Sequence, residues 1–282
     1  MTIPSPLAYC QLAGPVSGCG YSALPPELVA TEKNIAHQNP AAAFSLNRFL
    51  CRSMLDEFRL SDVPWSLPRQ FPVLYEQQIA RIRANLADRH DDYFSLGNDP
   101  FRKDLAILRH RLIPFGAELA TPYAGIPRSL LVADGWHQAI RFVQVYGRCR
   151  SARPMLELHM HPHCTEAFNP SGWLDTYENL ADFLELNRSF RGVQSTSWFL
   201  DPVLAEVSPH LSYLREVPQR CGATILYADD DDPDSSGAFA ASQKRRSLYE
   251  SGHYRPRLFT RIWPRRQLLQ RTWRSLNDIH RL

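Results

Sequence analysis

The chain has 282 residues, 44% of them hydrophobic and 22% charged, with a net charge of +3 at pH 7. That is enough apolar material for one large core or two smaller ones, and it excludes a largely disordered chain. No apolar run reaches the ~18 residues of a membrane span, and no dense basic stripe with interleaved aromatics marks a nucleic-acid partner.

Residues 1–42 are rich in Pro, Gly and Ala and read as an irregular surface arm. The start, MTIPSPLAYCQLAGP, has neither a basic n-region nor a long apolar h-region and is not expected to be a signal peptide. GCGYSA at 18–23 fits a dinucleotide fingerprint by letters alone. No strand precedes it and LPPE follows where a helix should continue, so it is set aside.

From 43 the chain is expected to form one catalytic domain, with a helical part at 43–150 and a strand–helix part at 151–282. Ile79, Ile82 and Leu86 recur at helical spacing. In NDPFRKDLAILRHRL, Asp99 is the expected N-cap and Pro100 the first helical residue, with Leu105, Leu108 and Leu112 on one face. Two or three amphipathic helices are expected to form a layer here. His90-x-Asp92 resembles the start of a facial iron triad, but at a helix end it reads as charge pairing with the helix terminus.

After 153 strands and helices alternate. RPMLELHMH, GVQSTSWFL, GATILYA and RLFTRIW read as strands. GWLDTYENLADFLELN reads as a helix with Trp173, Tyr177, Leu180 and Leu184 on one face. Asp201–Pro202 and Ser208–Pro209 read as two cap-and-proline helix starts, DDDDPDSSG as an exposed acidic loop, and AFAASQKRRSLYE as a helix ending at Gly252. An Arg-rich helix closes the chain. The expected fold class is α/β (mixed α+β): a mixed sheet with alternating helices in the C-terminal half and a helical layer from the N-terminal half.

The candidate chemistry begins in LELHMHPHCTE. Side chains alternate along a strand, so Leu156, Leu158 and Met160 should face the core, and Glu157, His159 and His161 a cleft or solvent. His159 and His161 stand roughly 7 Å apart at their α-carbons in such a strand. They could converge on a metal, carry a heme or line a solvated face; His163 and Glu166 follow where the strand ends. Cys164 reads as an isolated buried thiol. Trp198 packs and Asp201 caps at a strand–helix junction, although Asp201 or Glu157 could also hold a cationic group. Arg245–Arg246 and Arg265–Arg266 could clamp carboxylates or propionates, or simply wet helix faces. Of the 32 basic residues, 29 are Arg, a skew that reads mostly as coding bias. The six cysteines are scattered without C-x-x-C spacing, which argues against structural zinc and covalent heme and for reduced thiols in a cytoplasmic protein. G-x-S-x-G, P-loop and H-E-x-x-H motifs are missing.

SWFLDPVLAEVSPHLSYLREVPQRCGA, followed by SQKRRSLYESGHYRPRLFTRIWPRRQLL, resembles a group of bacterial proteins associated with the heme-dependent Nω-hydroxy-L-arginine synthase of D-cycloserine biosynthesis. The resemblance covers about residues 109–270. It implies a monooxygenase of antibiotic biosynthesis that hydroxylates a guanidine nitrogen of L-arginine or a similar amino acid. It further implies non-covalent heme b, dioxygen, an external electron donor and a redox partner. Under it His159 is the expected axial ligand, with His161, His163 and His210 as fallbacks; Arg245 and Arg246 would hold propionates; Glu157, Glu166 and Asp201 would hold the substrate guanidinium. Two further readings stay open. One is a GNAT-like acyltransferase, which the late β-α-β-α-β order fits, although no Q-x-x-G-x-G/A loop stands between a strand and a helix. The other is a non-heme metal enzyme using His159, His161 and His163. A binding protein with incidental histidines is the plain alternative.

Overall fold

A computed structural model describes residues 5–11, 20–150, 154–162, 166–232, 237–239 and 242–275. They form a mixed α/β protein with strands β1 (Ile113–Pro114), β2 (Leu119–Ala124), β3 (Met155–His159), β4 (Gly192–Ser197), β5 (Thr224–Asp230) and β6 (Arg257–Pro264). The chain divides into two compact units, Met1–Pro122 with His159–Glu166, and Tyr123–Leu158 with Ala167–Leu282.

The first unit is mainly helical. Helices Pro26–Gln38, Pro40–Glu57, Phe71–Asp88 and Asp99–Leu108 each carry a proline at their first or second position, where its missing N–H costs nothing. Leu28, Leu50, Ile82, Phe101 and Leu105 are fully buried in one shared core, each contributing roughly 1.5–3 kcal/mol through burial. The helical spacing of Ile79, Ile82 and Leu86 is realised as the buried face of Phe71–Asp88. The segment expected to be an irregular arm contains helices Pro6–Gln11 and Pro26–Gln38, with Tyr9, Leu28 and Ile35 buried. Its prolines start helices there rather than prevent them. Asp99 is the first residue of its helix and not its cap; Asn98 holds the cap position. The Asp99 carboxylate instead takes the Lys103 ammonium at 2.7 Å and the Tyr21 hydroxyl at 2.6 Å. β1 and β2 make a short antiparallel hairpin, Ile113 opposite Ala120, which the sequence reading did not anticipate.

The second unit holds the alternating strands and helices. β3 and β4 pair in parallel, with Leu156 opposite Val193 and Glu157 opposite Gln194. β6 then pairs antiparallel with β4 along six residues, and β5 pairs antiparallel with β6, so the local strand order is β3-β4-β6-β5. One face of this sheet takes helix Pro170–Leu186 through Trp173, Tyr177, Leu180 and Leu184, all buried as the sequence pattern indicates. Tyr177 meets Trp263 of β6 edge-on at 5.1 Å between ring centroids. Helix Gly135–Cys149 buries Phe142, Val145 and Cys149 in a cluster with Met155, Leu226 and Ile262. Gln138 of that helix donates to Tyr227 O at 2.8 Å and accepts from Tyr227 N–H at 2.8 Å, which occupies backbone groups on strand β5. The expected final helix is one turn, Arg265–Leu268, followed by a 3-10 turn at Thr272–Ser275. Part of the acidic loop, 233–236, and the last seven residues lie outside the described residues.

Candidate active site

Side-chain parity on the parallel pair defines the site. Met155, Glu157 and His159 point to one face of β3, and the register places Gly192, Gln194 and Thr196 on the same face of β4. Across β6 the face continues through Ile262 and Thr260. Toward the start of β3 this face is apolar and packs on Gly135–Cys149. Toward the C-terminal ends of the parallel strands it turns polar, with Glu157, Gln194, Thr196 and Thr260. Thr196 and Thr260 share a hydroxyl–hydroxyl hydrogen bond of 2.8 Å. In open α/β sheets ligands bind outside these carboxyl ends.

Glu157 is half-buried, and burial raises its pKa above the ordinary carboxylate range. Gln194 is buried and donates its amide to Gly125 O at 3.0 Å, while its buried Oε1 has no hydrogen-bond partner. A carboxylate of raised basicity therefore neighbours a buried acceptor on a solvent-reachable strand face. Beyond β3 the next helix starts at Pro170. Asn169 Oδ1 accepts the Gly172 N–H at 3.0 Å, and a Cβ on Gly172 would stand 2.1 Å from Ala167 O. Only glycine lets the incoming loop lie so close against the first turn.

The histidines separate. β3 ends at His159, and the strand parity expected to continue does not: Met160 is 36% exposed and His161 is buried. His159 Nε2 lies 2.9 Å from Thr121 Oγ1, and the Tyr21 ring packs edge-on against the imidazole. Burial, reinforced by the Lys103 charge, lowers its pKa to about 4. His161 Nε2 stands 3.3 Å from Asp104 Oδ1. Asp104 also takes Arg81 at 2.6 Å, the Tyr93 hydroxyl at 2.6 Å and Asn85 at 3.1 Å. Burial raises the Asp104 carboxyl, but His161 and Arg81 outweigh it, and the net shift is downward. His163 and Cys164 lie outside the described residues. Among the described residues no group of three or more His, Cys, Asp or Glu side chains is arranged to hold a metal ion.

The other expected residues have structural occupations or none at this face. Asp201 is buried, accepts Val203 N–H at 3.1 Å and pairs with Arg257 at 3.0 Å. Arg245 is buried, donates to Ala238 O at 2.6 Å and Ser208 Oγ at 3.0 Å, and stacks 4.8 Å over Trp198. Arg246, Glu166, His210, His90 and Asp92 are exposed. Sequence reasoning singled out Glu157 but missed Gln194 and the Thr196–Thr260 pair. The polar residues inside the strand patterns GVQSTS and RLFTRIW were the available signal, and only the register of the strands gave it meaning.

No protein-family model matches this chain, and no curated protein sequence does. Its fold is similar to a solved acyltransferase in complex with decanoyl-CoA and teicoplanin, at a TM-score of 0.50 and 16% identity, over 79% of this chain and 68% of that one. An acyltransferase in complex with decanoyl-CoA matches at a TM-score of 0.47 and 17% identity, over 91% of this chain and 74% of that one. The likeness overturns the heme expectation drawn from the two C-terminal runs. The solved structure matched at a TM-score of 0.50 is an acyltransferase holding decanoyl-CoA, not a heme-dependent N-hydroxylase. With that go the oxidoreductase activity, heme b and its iron, dioxygen, the electron donor and redox partner, and the L-arginine substrate. The two runs build the short helical turns between β4 and β5 and, after β5, the helix Gln243–Glu250 with strand β6.

Proposed function

We propose that the chain is an acyltransferase that moves an acyl group from an acyl-CoA thioester to an amine or hydroxyl acceptor. Two observations support this reading: the fold likeness to an acyltransferase bound to decanoyl-CoA, and the polar strip at the carboxyl ends of β3 and β4. The second carries it, because it supplies a base where the fold leaves a ligand face. The missing Q-x-x-G-x-G/A loop bears on how the pyrophosphate is held, not on the transfer itself. The Gly172 N–H is already held by Asn169 Oδ1, so the N-terminus of Pro170–Leu186 would favour phosphate through the positive end of its helix dipole instead.

The thioester supplies an activated acyl carbon and a thiolate leaving group. Glu157 takes the proton that the acceptor releases as it attacks; a carboxylate raised by burial is better matched to that task than an ordinary one. Gln194 Oε1 accepts a hydrogen bond from the acceptor or from an amide of the pantetheine arm and so orients it. We place the protein in the cytoplasm, where acyl-CoA is made; among the described residues Cys10, Cys51, Cys149 and Cys221 are free thiols, and no helix is long and apolar enough to cross a membrane.

Titration calorimetry with CoA and with acyl-CoAs of short, medium and long chains tests the reading. Saturable binding, with thiol release once an amine acceptor is added, is the expected result. Absence of binding by CoA and by every acyl-CoA would overturn it.

A further inference from the structure

A cavity lies at the opposite end of β3 and β4 from the polar strip. Its volume is about 420 Å³, and it is lined by Arg148, Arg150, Arg188, Arg191, Arg265 and Arg266, together with Gly147, Cys149 and Gln267. Every charged residue lining it, among the described residues, is an arginine. These side chains come from three places: the C-terminus of Gly135–Cys149, the loop after Pro170–Leu186, and the turn after β6.

The backbone that gathers them is built tightly. Arg265 N–H donates to Arg191 O at 2.8 Å, and Arg191 N–H donates to Pro154 O at 2.8 Å. Between them Gly192 has φ +153°, and a Cβ there would stand 2.3 Å from Trp263 O, so only glycine permits the crossing. The Arg265 guanidinium donates twice to Leu184 O, at 3.2 and 2.9 Å, which fixes its position. Arg150 holds a left-handed conformation, φ 58°, at a helix end where Gly or Asn is the usual choice.

Helix C-termini attract arginines, and two of them face this cavity. Each carries roughly half a negative charge, so together they offset about one of six positive charges. Burial, then the charges of Arg188 and Arg191, lower the Arg265 pKa. Glu185, whose charge acts on Arg265, is held by Arg271 at 3.0 Å. The cluster repels itself and lacks a matching anion among the described residues that line it.

We propose that this cavity is a binding site for a ligand carrying two or more closely spaced phosphates, gripped by Arg148, Arg188, Arg191 and Arg266 around the fixed Arg265. Guanidinium forks match phosphate oxygens bidentately, and the volume falls within the ~300–1,000 Å³ of small-molecule sites. The phosphates belong either to a free nucleotide or polyphosphate, or to the adenosine end of CoA. The proposal does not rest on the acyl-transfer reading.

The test is calorimetric titration of the full chain with inorganic tripolyphosphate, ADP and CoA, repeated on Arg188→Glu/Arg191→Glu. Both side chains are exposed, and a charge-removing Arg188→Gln/Arg191→Gln variant with a thermal melt guards against misfolding. One saturable tripolyphosphate site per chain is expected, weakened at least ~tenfold in both variants, with melting temperatures equal to or above that of the parent. CoA affinity that falls in step assigns the phosphates to the coenzyme; CoA affinity that holds assigns them to a free nucleotide. No saturable binding at low salt overturns the site, as does binding that survives both variants. Affinity that rises with the length of an added RNA oligomer and exceeds that of tripolyphosphate also overturns it, in favour of a nucleic-acid surface.

Discussion

His159 Nε2 lies 2.9 Å from Thr121 Oγ1, and its imidazole is held neutral down to about pH 4. The unfolded chain protonates this histidine near pH 6.5. Between those two values the unfolded state binds a proton that the folded state refuses, so stability falls as pH drops through this window. The loss reaches up to about 3 kcal/mol at full expression of the shift. Thermal melts from pH 7 to pH 4 on the parent and on His159→Gln should show a shallower acid slope in the variant; parallel curves would refute the assignment.

Glu157→Gln should leave acyl-CoA affinity within a few-fold and lower turnover by roughly 10²–10⁴-fold. For the parent, kcat/KM should rise with pH through a value above the ordinary carboxylate range, since Glu157 must lose its proton to act. The sign for stability is opposite. A folded pKa raised by burial disfavours the charged form, so Glu157→Gln should melt higher than the parent at pH 7. A variant that melts higher yet turns over at the parental rate would remove Glu157 from the chemistry.

Asp104 sits beneath Arg81, Tyr93, Asn85 and His161 in the first unit. Asp104→Ala removes the buried carboxylate that Arg81 and the Tyr93 hydroxyl share, and chemical denaturation should register a loss of about 3–5 kcal/mol. Its native pKa is lowered. Its contribution is therefore full above about pH 4 and disappears as pH falls below that through the native value, a window distinct from that of His159.

Gly172→Ala forces a methyl to within 2.1 Å of Ala167 O, a backbone atom that cannot rotate away. Urea denaturation should show a loss of about 2–4 kcal/mol, and CoA binding should weaken in the same variant because the first turn of Pro170–Leu186 is displaced. Unchanged stability would mean that the loop yields freely.

Asp201 pairs with Arg257 and caps its own turn while fully withdrawn from solvent. Asp201→Asn should lower the melting temperature while leaving KM for acceptor within a few-fold. A large KM change with an unaltered melting temperature would restore it to the substrate site.

The order of elements after residue 153 was legible because periodicity is a local property. Leu180 and Leu184 declare a helix face, and the caps and prolines around 201–209 declare its interruptions, whatever else the chain does. Three things were not legible. β6 inserts between β4 and β5, so Gln194 and Thr260 come onto one face only through the long-range pairings Gln194–Ile262 and Thr196–Thr260. His161 turns inward to Asp104, 57 residues earlier, because the strand stops at His159 and releases its alternation. Arg148, Arg191 and Arg266, which read singly as coding bias or wet helix faces, share one cavity. Local sequence specifies the period and the breaks. Which faces then meet is decided by long-range burial and hydrogen bonding, whose energies depend on the whole packed arrangement and leave no mark in any one segment.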